Sequence, residues 1–209
     1  LYGAYQVLVS GTGVTAEVVP VPKPKDGKTP SLTSLKLKFT VAANALPGVR
    51  DFRLATPRGA STIGQIVIVG DKIVNETGNN NSAKTAQAIT LPATICGAIE
   101  QAEDVDVFKF TAKKGQPLSF LVRSQRLQDR IHDLQKHVDP ILTLRTAAGS
   151  TLASSDNYFF ADPFLAATAP ADGEYTLEIR DVRYQGNGNW QYLLWDVLMF
   201  ESWRDSVDL

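Results

Sequence analysis

The sequence predicts an all-β protein of two tandem β-sandwiches, with one short helix in the second. Apolar and polar residues alternate within short segments along the chain, and the stretch 34–41 (SLKLKFTV) is the clearest example. That period of two is typical of a strand with one buried face. Turns containing Gly or Pro separate the segments at nearly even spacing, as in small β-sandwiches. A helical period is found only at 125–137.

Composition narrows the possible partners. The chain has 209 residues, a net charge of −1 and no basic block, which argues against nucleic acid or an anionic membrane as the main partner. It has no apolar run of the roughly 18 residues that a membrane-spanning helix requires. The one cysteine, Cys96, excludes an intrachain disulfide and is expected to be a small buried apolar residue. Because the chain opens with Leu1, we expect it to be a piece of a longer protein.

The predicted domains are an N-terminal sandwich at 1–72, a linker at 73–82 and a C-terminal sandwich at 83–209. The linker is polar and rich in Gly and Asn. Strands of the first domain are predicted at 5–9, 14–19, 34–41, 49–56 and 63–69. Strands of the second are predicted at 87–91, 95–100, 105–111, 117–123, 140–145, 151–154, 164–168, 174–181 and 190–199.

In residues 125–137, an insertion in the second domain, the apolar residues recur with the period of a helix and not that of a strand. Leu127, Ile131 and Leu134 are spaced as the apolar stripe of a short helix. Such a helix would cover an open end of the sandwich, or else act as a lid beside a binding face.

An acidic turn is the strongest chemical signal in the sequence. Glu103, Asp104 and Asp106 lie within four positions, just before an apolar strand. Carboxylates so close need water, a cation or backbone N–H donors to remain ionised together. The turn is therefore either a solvated acidic turn or half of a calcium site.

Aromatic residues near loops form the second candidate site. They are Tyr158, Phe159, Phe160, Tyr184 and Trp190. Exposed aromatic side chains provide stacking surface for a ligand, but a small sandwich also needs large side chains for its core. Because Phe159 and Phe160 are adjacent, an extended backbone would point one outward and the other inward.

Sequence patterns of catalysis are missing. The chain has no G-x-S-x-G motif, and its two histidines, His132 and His137, are five positions apart, which does not suit joint metal binding on a helix. Cys96 has no basic neighbour that would lower its pKa. We therefore predict that this chain is not an enzyme.

The first domain resembles immunoglobulin-like domains of the IPT/TIG type. The resemblance rests on GTGVTAEVV and on SLKLKFTVAANALPGVRDFRLATPRGAS, and covers roughly residues 5–69. It implies an Ig-like β-sandwich.

The second domain resembles the bacterial pre-peptidase C-terminal (PPC) domain. The resemblance rests on an ordered series of motifs, D-V-D-x-F at 104–108, D-P-x-L-x-L at 139–144 and D-G-x-Y-x-L at 172–177, followed by an aromatic strand. It implies a jelly-roll-like sandwich that is secreted or displayed at the cell surface. The pairing with an Ig-like domain is similar to that in large exported planctomycete proteins.

The same resemblance implies a calcium-binding site. Some related domains, notably the collagen-binding domains of clostridial collagenases, bind calcium between a linker rich in Glu and Asn and an acidic turn. Glu76, Asn80 and Asn81 match the linker part, while Glu103 and Asp106 match the turn.

Together these features predict a non-catalytic, extracellular accessory or adhesion module of a larger exported protein. Its expected partner is an extracellular polysaccharide, a protein polymer or a component of the cell envelope. The alternatives are a structural or secretion-linked domain without a ligand, and an enzyme domain.

Overall fold

The computed structural model describes residues 3–20, 35–99, 104–124, 126, 139–182 and, as backbone, 194–201. The chain forms two compact units, and the boundary in the chain lies between Gly70 and Asp71. The described residues form strands and turns with no α-helix, which confirms the all-β class. No helix among them is long and apolar enough to cross a membrane.

The first unit contains a four-stranded antiparallel sheet and a two-stranded antiparallel sheet. The larger sheet consists of β1 (Gln6–Val9), β4 (Gly48–Thr56), β5 (Gly59–Ala60) and β6 (Gly64–Ile68), and the smaller of β2 (Val14–Val18) and β3 (Leu37–Val41). Strand β4 pairs with β1, β5 and β6. The rings of Phe39 and Phe52 meet edge to face at 5.3 Å and connect β3 to β4.

The second unit contains two five-stranded sheets. Its strands are β7 (Lys72–Asn75), β8 (Gln87–Ala88), β9 (Ala93–Ala98), β10 (Val105–Ala112), β11 (Pro117–Arg123), β12 (Pro140–Thr146), β13 (Thr151–Ser155), β14 (Phe164–Thr168), β15 (Gly173–Asp181) and β16 (Leu194–Glu201). One sheet has the order β13-β12-β15-β10-β8, and the other has the order β14-β11-β16-β9-β7.

A single apolar core lies between these two sheets. Phe108 on β10 and Phe120 on β11 are fully buried, and Phe110 lies between Phe120 and Tyr175, with ring centroids at 5.6 and 6.0 Å. The hydroxyl of Tyr175 is satisfied because it donates to the Ala171 carbonyl at 2.6 Å. The second unit is therefore a β-sandwich, and its core is formed by the inward positions of strands that the alternation predicted.

Most predicted strands are confirmed, and two differences are informative. The stretch predicted as a linker overlaps β7, which pairs in parallel with β9 from Lys72↔Ala93 to Asn75↔Cys96. Val74 of β7 packs against the second unit's core. A four-residue strand with only two apolar residues is too short to show an alternation, and its polar neighbours conceal it. Strand β5 was also missed in the sequence, because two residues are too few to show an alternation.

The predicted helix at 125–137 lies outside the described residues, except for Arg126. So do His132 and His137.

Candidate functional sites

The first candidate site brings the end of β7 beside the start of β10. The Glu76 N–H donates to the Cys96 carbonyl, and its carboxylate accepts from the Ala98 N–H, both at 2.9 Å. Farther along the same loop, the Asn80 carbonyl accepts from the Val107 N–H at 2.9 Å. The Glu76 contacts are therefore to β9, whereas the Asn80 contact brings Asn80 to β10, the strand that carries Asp106.

Asn80 and Asp106 are buried polar residues with unsatisfied atoms. Asn80 is 0% exposed and Asp106 is 1% exposed. Neither Oδ1 nor Nδ2 of Asn80, nor Oδ2 of Asp106, completes a hydrogen bond of ordinary geometry. A buried polar atom without a partner costs free energy, so these atoms form a place where an added ligand would be stabilising.

The same surroundings raise the pKa of Asp106 from 3.8 to about 10. Burial is the largest cause. A hydrogen bond with Glu76, the charge of Glu76 and the charge of Asp104 raise the pKa further, while the nearby Asn80 amide lowers it. Without an added positive charge, the Asp106 carboxyl therefore holds a proton at neutral pH.

Asn81 and Asp104 complete this group. The exposed Asn81 donates its side-chain amide to Asp104 Oδ1 at 2.9 Å, across 23 positions of sequence. Asp104 itself is 7% exposed. Five of the six residues predicted for calcium thus belong to the loop and strand described here, and the sixth, Glu103, lies outside the described residues.

The side chains of this group are of the kind that bind a hard cation, although its acidic residues do not form a complete metal-binding site. Within the described ranges, no three acidic, imidazole or thiolate side chains are arranged to hold a metal ion. The available donors are carboxylate and amide oxygens, the ligands that Ca²⁺ prefers. The orphaned oxygens of Asn80 and Asp106 fit such an ion, which would also replace the proton on Asp106.

The second candidate site is a tight hairpin before β14. Phe159 and Asp162 exchange both backbone hydrogen bonds, at 2.9 and 3.1 Å, and Phe160 occupies the turn between them with φ of 63°. A left-handed backbone is unusual for a bulky residue. Because the chain turns at Phe160, the alternation of an extended strand does not apply.

Both phenylalanines are therefore exposed, because the extended backbone that would point one of them inward is absent at this turn. Tyr158 is 61% exposed, Phe159 42% and Phe160 65%. The rings of Tyr158 and Phe159 meet edge to face at 4.7 Å, and both contact the half-buried Phe164, at 5.1 and 6.3 Å. We refer to Tyr158, Phe159 and Phe160 as the aromatic patch. Tyr184 and Trp190 lie outside the described residues.

The ion pair between Arg126 and Asp162 contacts the aromatic patch and holds it in place. Asp162 is 0% exposed, and its carboxylate accepts from the Ser124 N–H at 3.0 Å, the Arg126 N–H at 3.2 Å and Arg126 Nε at 2.7 Å. The Arg126 guanidinium also lies over the Phe159 ring, 4.6 Å from its centroid. Charge-assisted bonds of this kind hold planar groups in a defined orientation.

Sequence reasoning missed Arg126, Asp162 and Phe164. Asp162 stands in the loop SSDNYFFADP, where an aspartate is typical of an exposed turn. Its partner Arg126 is 36 positions away in the predicted helix. The sequence contains no signal that joins them.

The fold and the positions of the two sites define the class of domain to which the second unit belongs. The second unit is a two-sheet, all-β domain whose candidate sites are on its connections. Residues 104–181 match the family described as the bacterial pre-peptidase C-terminal domain. This part of the chain therefore matches the PPC family, whose members are non-catalytic accessory domains found in secreted proteins.

Comparisons of the fold give distant likenesses. The PPC domain of the collagenase from Bacillus anthracis is 15% identical, with a TM-score of 0.42 over 58% of this chain and 100% of that one. The periplasmic g-type lysozyme inhibitor PliG from Aeromonas hydrophila is 14% identical, with a TM-score of 0.35 over 62% and 96%. The secreted serine protease VesC from Vibrio cholerae is 6% identical, with a TM-score of 0.35 over 96% and 44%. None of the curated proteins matches the chain.

Proposed function

We propose that this chain is a non-catalytic accessory or adhesion module that binds an extracellular polymer, a matrix or a cell-envelope component through the aromatic patch. The single observation that carries this proposal is the exposure of Tyr158, Phe159 and Phe160 on one supported hairpin. Exposed apolar rings are costly in water unless a partner covers them. We infer that the first unit, with its IPT/TIG resemblance, serves as an Ig-like spacer in an exported protein.

The support beneath the patch favours binding over a merely structural role. Phe160 contributes little buried area, so its ring does not explain the fold's stability. It is nevertheless held in an unfavourable left-handed turn by the Phe159–Asp162 hydrogen bonds and by the buried Asp162 carboxylate. Strained conformations that the surrounding structure maintains are concentrated at functional positions.

The test replaces Phe160 by alanine. Phe160→Ala is expected to keep the melting temperature and to lose retention on insoluble polysaccharide or collagen-like polymer. The control is Leu46→Ala, which removes a side chain that is 74% exposed in the first unit and is expected to leave retention unchanged. A large drop in melting temperature would make Phe160 a structural residue, and retention equal to the wild type would show that the patch is not the binding site.

We also propose that Asn80 and Asp106 hold a calcium ion, with Glu76, Asn81 and Asp104 around it, and Glu103 remains a ligand predicted from the sequence. The unsatisfied oxygens of Asn80 and Asp106 support this proposal, because an ion would satisfy both and neutralise the repelling acids. Such an ion would connect the loop after β7 to the start of β10.

The calcium proposal predicts a metal-dependent melting temperature. An ion that binds the folded state alone stabilises it by about 2.7 kcal/mol at a hundredfold excess over Kd. For a chain of this size that corresponds to an increase of about 5 to 10 °C in millimolar calcium relative to EDTA. Asp106→Asn should abolish the increase, while Asp156→Asn, which changes an exposed aspartate elsewhere, should preserve it. Identical melting curves in EDTA and calcium would overturn the proposal.

A further inference from the structure

Arg126 has hydrogen-bonding capacity beyond its structural contacts. A guanidinium has five N–H groups. Among the described residues, Arg126 Nε donates to Asp162 and Nη2 donates to the Val122 carbonyl at 3.1 Å. The side chain is 34% exposed, and its guanidinium lies beside the aromatic patch, over the Phe159 ring. It can offer its other N–H groups to a bound molecule.

The charge of Arg126 is already compensated. The carboxylate that pairs with it belongs to Asp162, which is fully buried and therefore not screened by water. A polyanionic partner gains most from uncompensated Lys and Arg side chains, and this pair provides little net positive charge. The donors beside the patch consequently suit neutral acceptors, such as hydroxyl or carbonyl oxygens.

The backbone N–H and C=O groups of the hairpin are also already hydrogen-bonded. The N–H and C=O groups of Phe159 and Asp162 bond to each other, so the tip has no open strand edge for an extended peptide at these positions. The patch therefore offers ring faces and a fixed guanidinium, with no row of backbone donors and acceptors.

We propose that Arg126 and the aromatic patch together bind a neutral polysaccharide. A pyranose ring has apolar C–H faces and hydroxyl groups at its edge, which match exposed aromatic rings beside a planar donor. Sugar rings stack on Tyr158 and Phe160, and Arg126 donates to their hydroxyl oxygens, while Asp162 keeps the guanidinium in place. This inference rests on the proposed function and names the polymer class for that site.

The experiment measures binding of the full chain to four soluble polymers: hydroxyethylcellulose, starch, polygalacturonate and gelatin. Affinity electrophoresis ranks them, and calorimetry follows the strongest binder from about 50 to about 500 mM NaCl. We expect one of the two neutral glucans to bind best, with an affinity that is insensitive to salt. Phe160→Ala should abolish this binding. Arg126→Lys, which keeps the charge but loses the planar fork, should weaken it by about five- to tenfold.

The outcomes separate the two proposals. Binding only to gelatin, or only to polygalacturonate with strong salt dependence, would overturn the neutral polysaccharide while leaving a Phe160-dependent adhesion module intact. Glucan binding that is identical in Arg126→Lys and the wild type would overturn the role of Arg126. Retention of none of the four polymers would count against the proposed function as well. Because the salt dependence is measured on the unmodified chain, the test of polymer class does not require any variant to fold.

Discussion

Asp106 is the described residue whose surroundings most strongly change the properties of its side chain. Its carboxyl is almost completely buried, lies near two other acids and has one oxygen without a partner. A proton or a cation can each relieve this arrangement, and the two exclude one another. Calcium binding should therefore strengthen as pH rises, because the ion must displace the proton that the raised pKa retains.

The pKa of Asp106 also predicts how stability depends on pH in EDTA. The folded pKa of about 10 lies above the ordinary value of 3.8, so between these values the folded state holds a proton that the unfolded state releases. This contribution is fully present below pH 3.8 and is lost as pH rises through 10. We expect the melting temperature in EDTA to fall from about pH 5 to about pH 9 through this group. Asp106→Asn should flatten the profile, and an unchanged slope in that variant would contradict the assignment.

Phe160 provides a second test at the residue scale. Its left-handed backbone costs about 1–2 kcal/mol for an L-residue other than glycine. We expect Phe160→Gly to be more stable than Phe160→Ala by about 1 kcal/mol, although both should lose polymer binding. Phe159→Gly is the matched control, since the φ of Phe159 is not positive and glycine there should destabilise relative to alanine. Equal melting temperatures for Phe160→Gly and Phe160→Ala would show that the turn is not strained.

At the scale of elements, strand β10 connects the calcium candidate to the core. Its side chains alternate, so Asp106, Phe108 and Phe110 share the buried face, with the acid at the end of the strand. β10 pairs with β15 along its whole length, from Val105↔Arg180 to Ala112↔Gly173. A change in the register of this pair would therefore move the acid and the core together.

The core position on β10 predicts a large effect on stability. Phe108→Ala is expected to destabilise the second unit by about 3–5 kcal/mol, because a fully buried ring is removed and a cavity remains. Thr111→Ala, at an exposed position of the same strand, should change stability by less than about 0.5 kcal/mol. Denaturant unfolding measures both. An effect below about 1 kcal/mol for Phe108→Ala would contradict the burial described here.

At the scale of the molecule, the two units differ in how much core they have. The contiguous core cluster belongs to the second unit, whereas the buried apolar residues of the first are Val7, Val14, Leu54 and Ile68 among those described. Stability of a small unit depends on how much apolar surface it removes from water. The second unit should therefore be the more stable one.

Fragments test this difference and the role of β7. Residues 71–209 should fold alone with a cooperative melt, and 1–70 alone should be marginal. Fragment 77–209, which lacks β7 and Glu76, should melt at a lower temperature than 71–209 and lose its response to calcium. If 71–209 is unfolded by itself, the boundary at Gly70 does not separate independent domains.

The amino-acid sequence by itself determined the all-β class and the positions of most strands along the chain. In β10 and β15 the period of two is a local property, and burying one face of each strand needs no knowledge of its neighbour. The PPC motifs at 104–181 were visible for a similar reason, since each is a local pattern of acidic, turn and apolar residues. The acidic and aromatic residues were also noticed from their local pattern alone.

Only the tertiary structure decided what those residues contact. The burial of Asn80 beside Asp106 depends on a loop that returns to β10, and the strand β7 depends on its pairing with β9. The exposure of both Phe159 and Phe160 results from a left-handed turn, and the support from Arg126 results from a partner 36 positions distant. The Asn80 loop, strand β7 and the Arg126–Asp162 pair depend on backbone groups and charges that find partners far away in the sequence. The turn at Phe160 is local, but its left-handed backbone is one that a bulky residue does not predict.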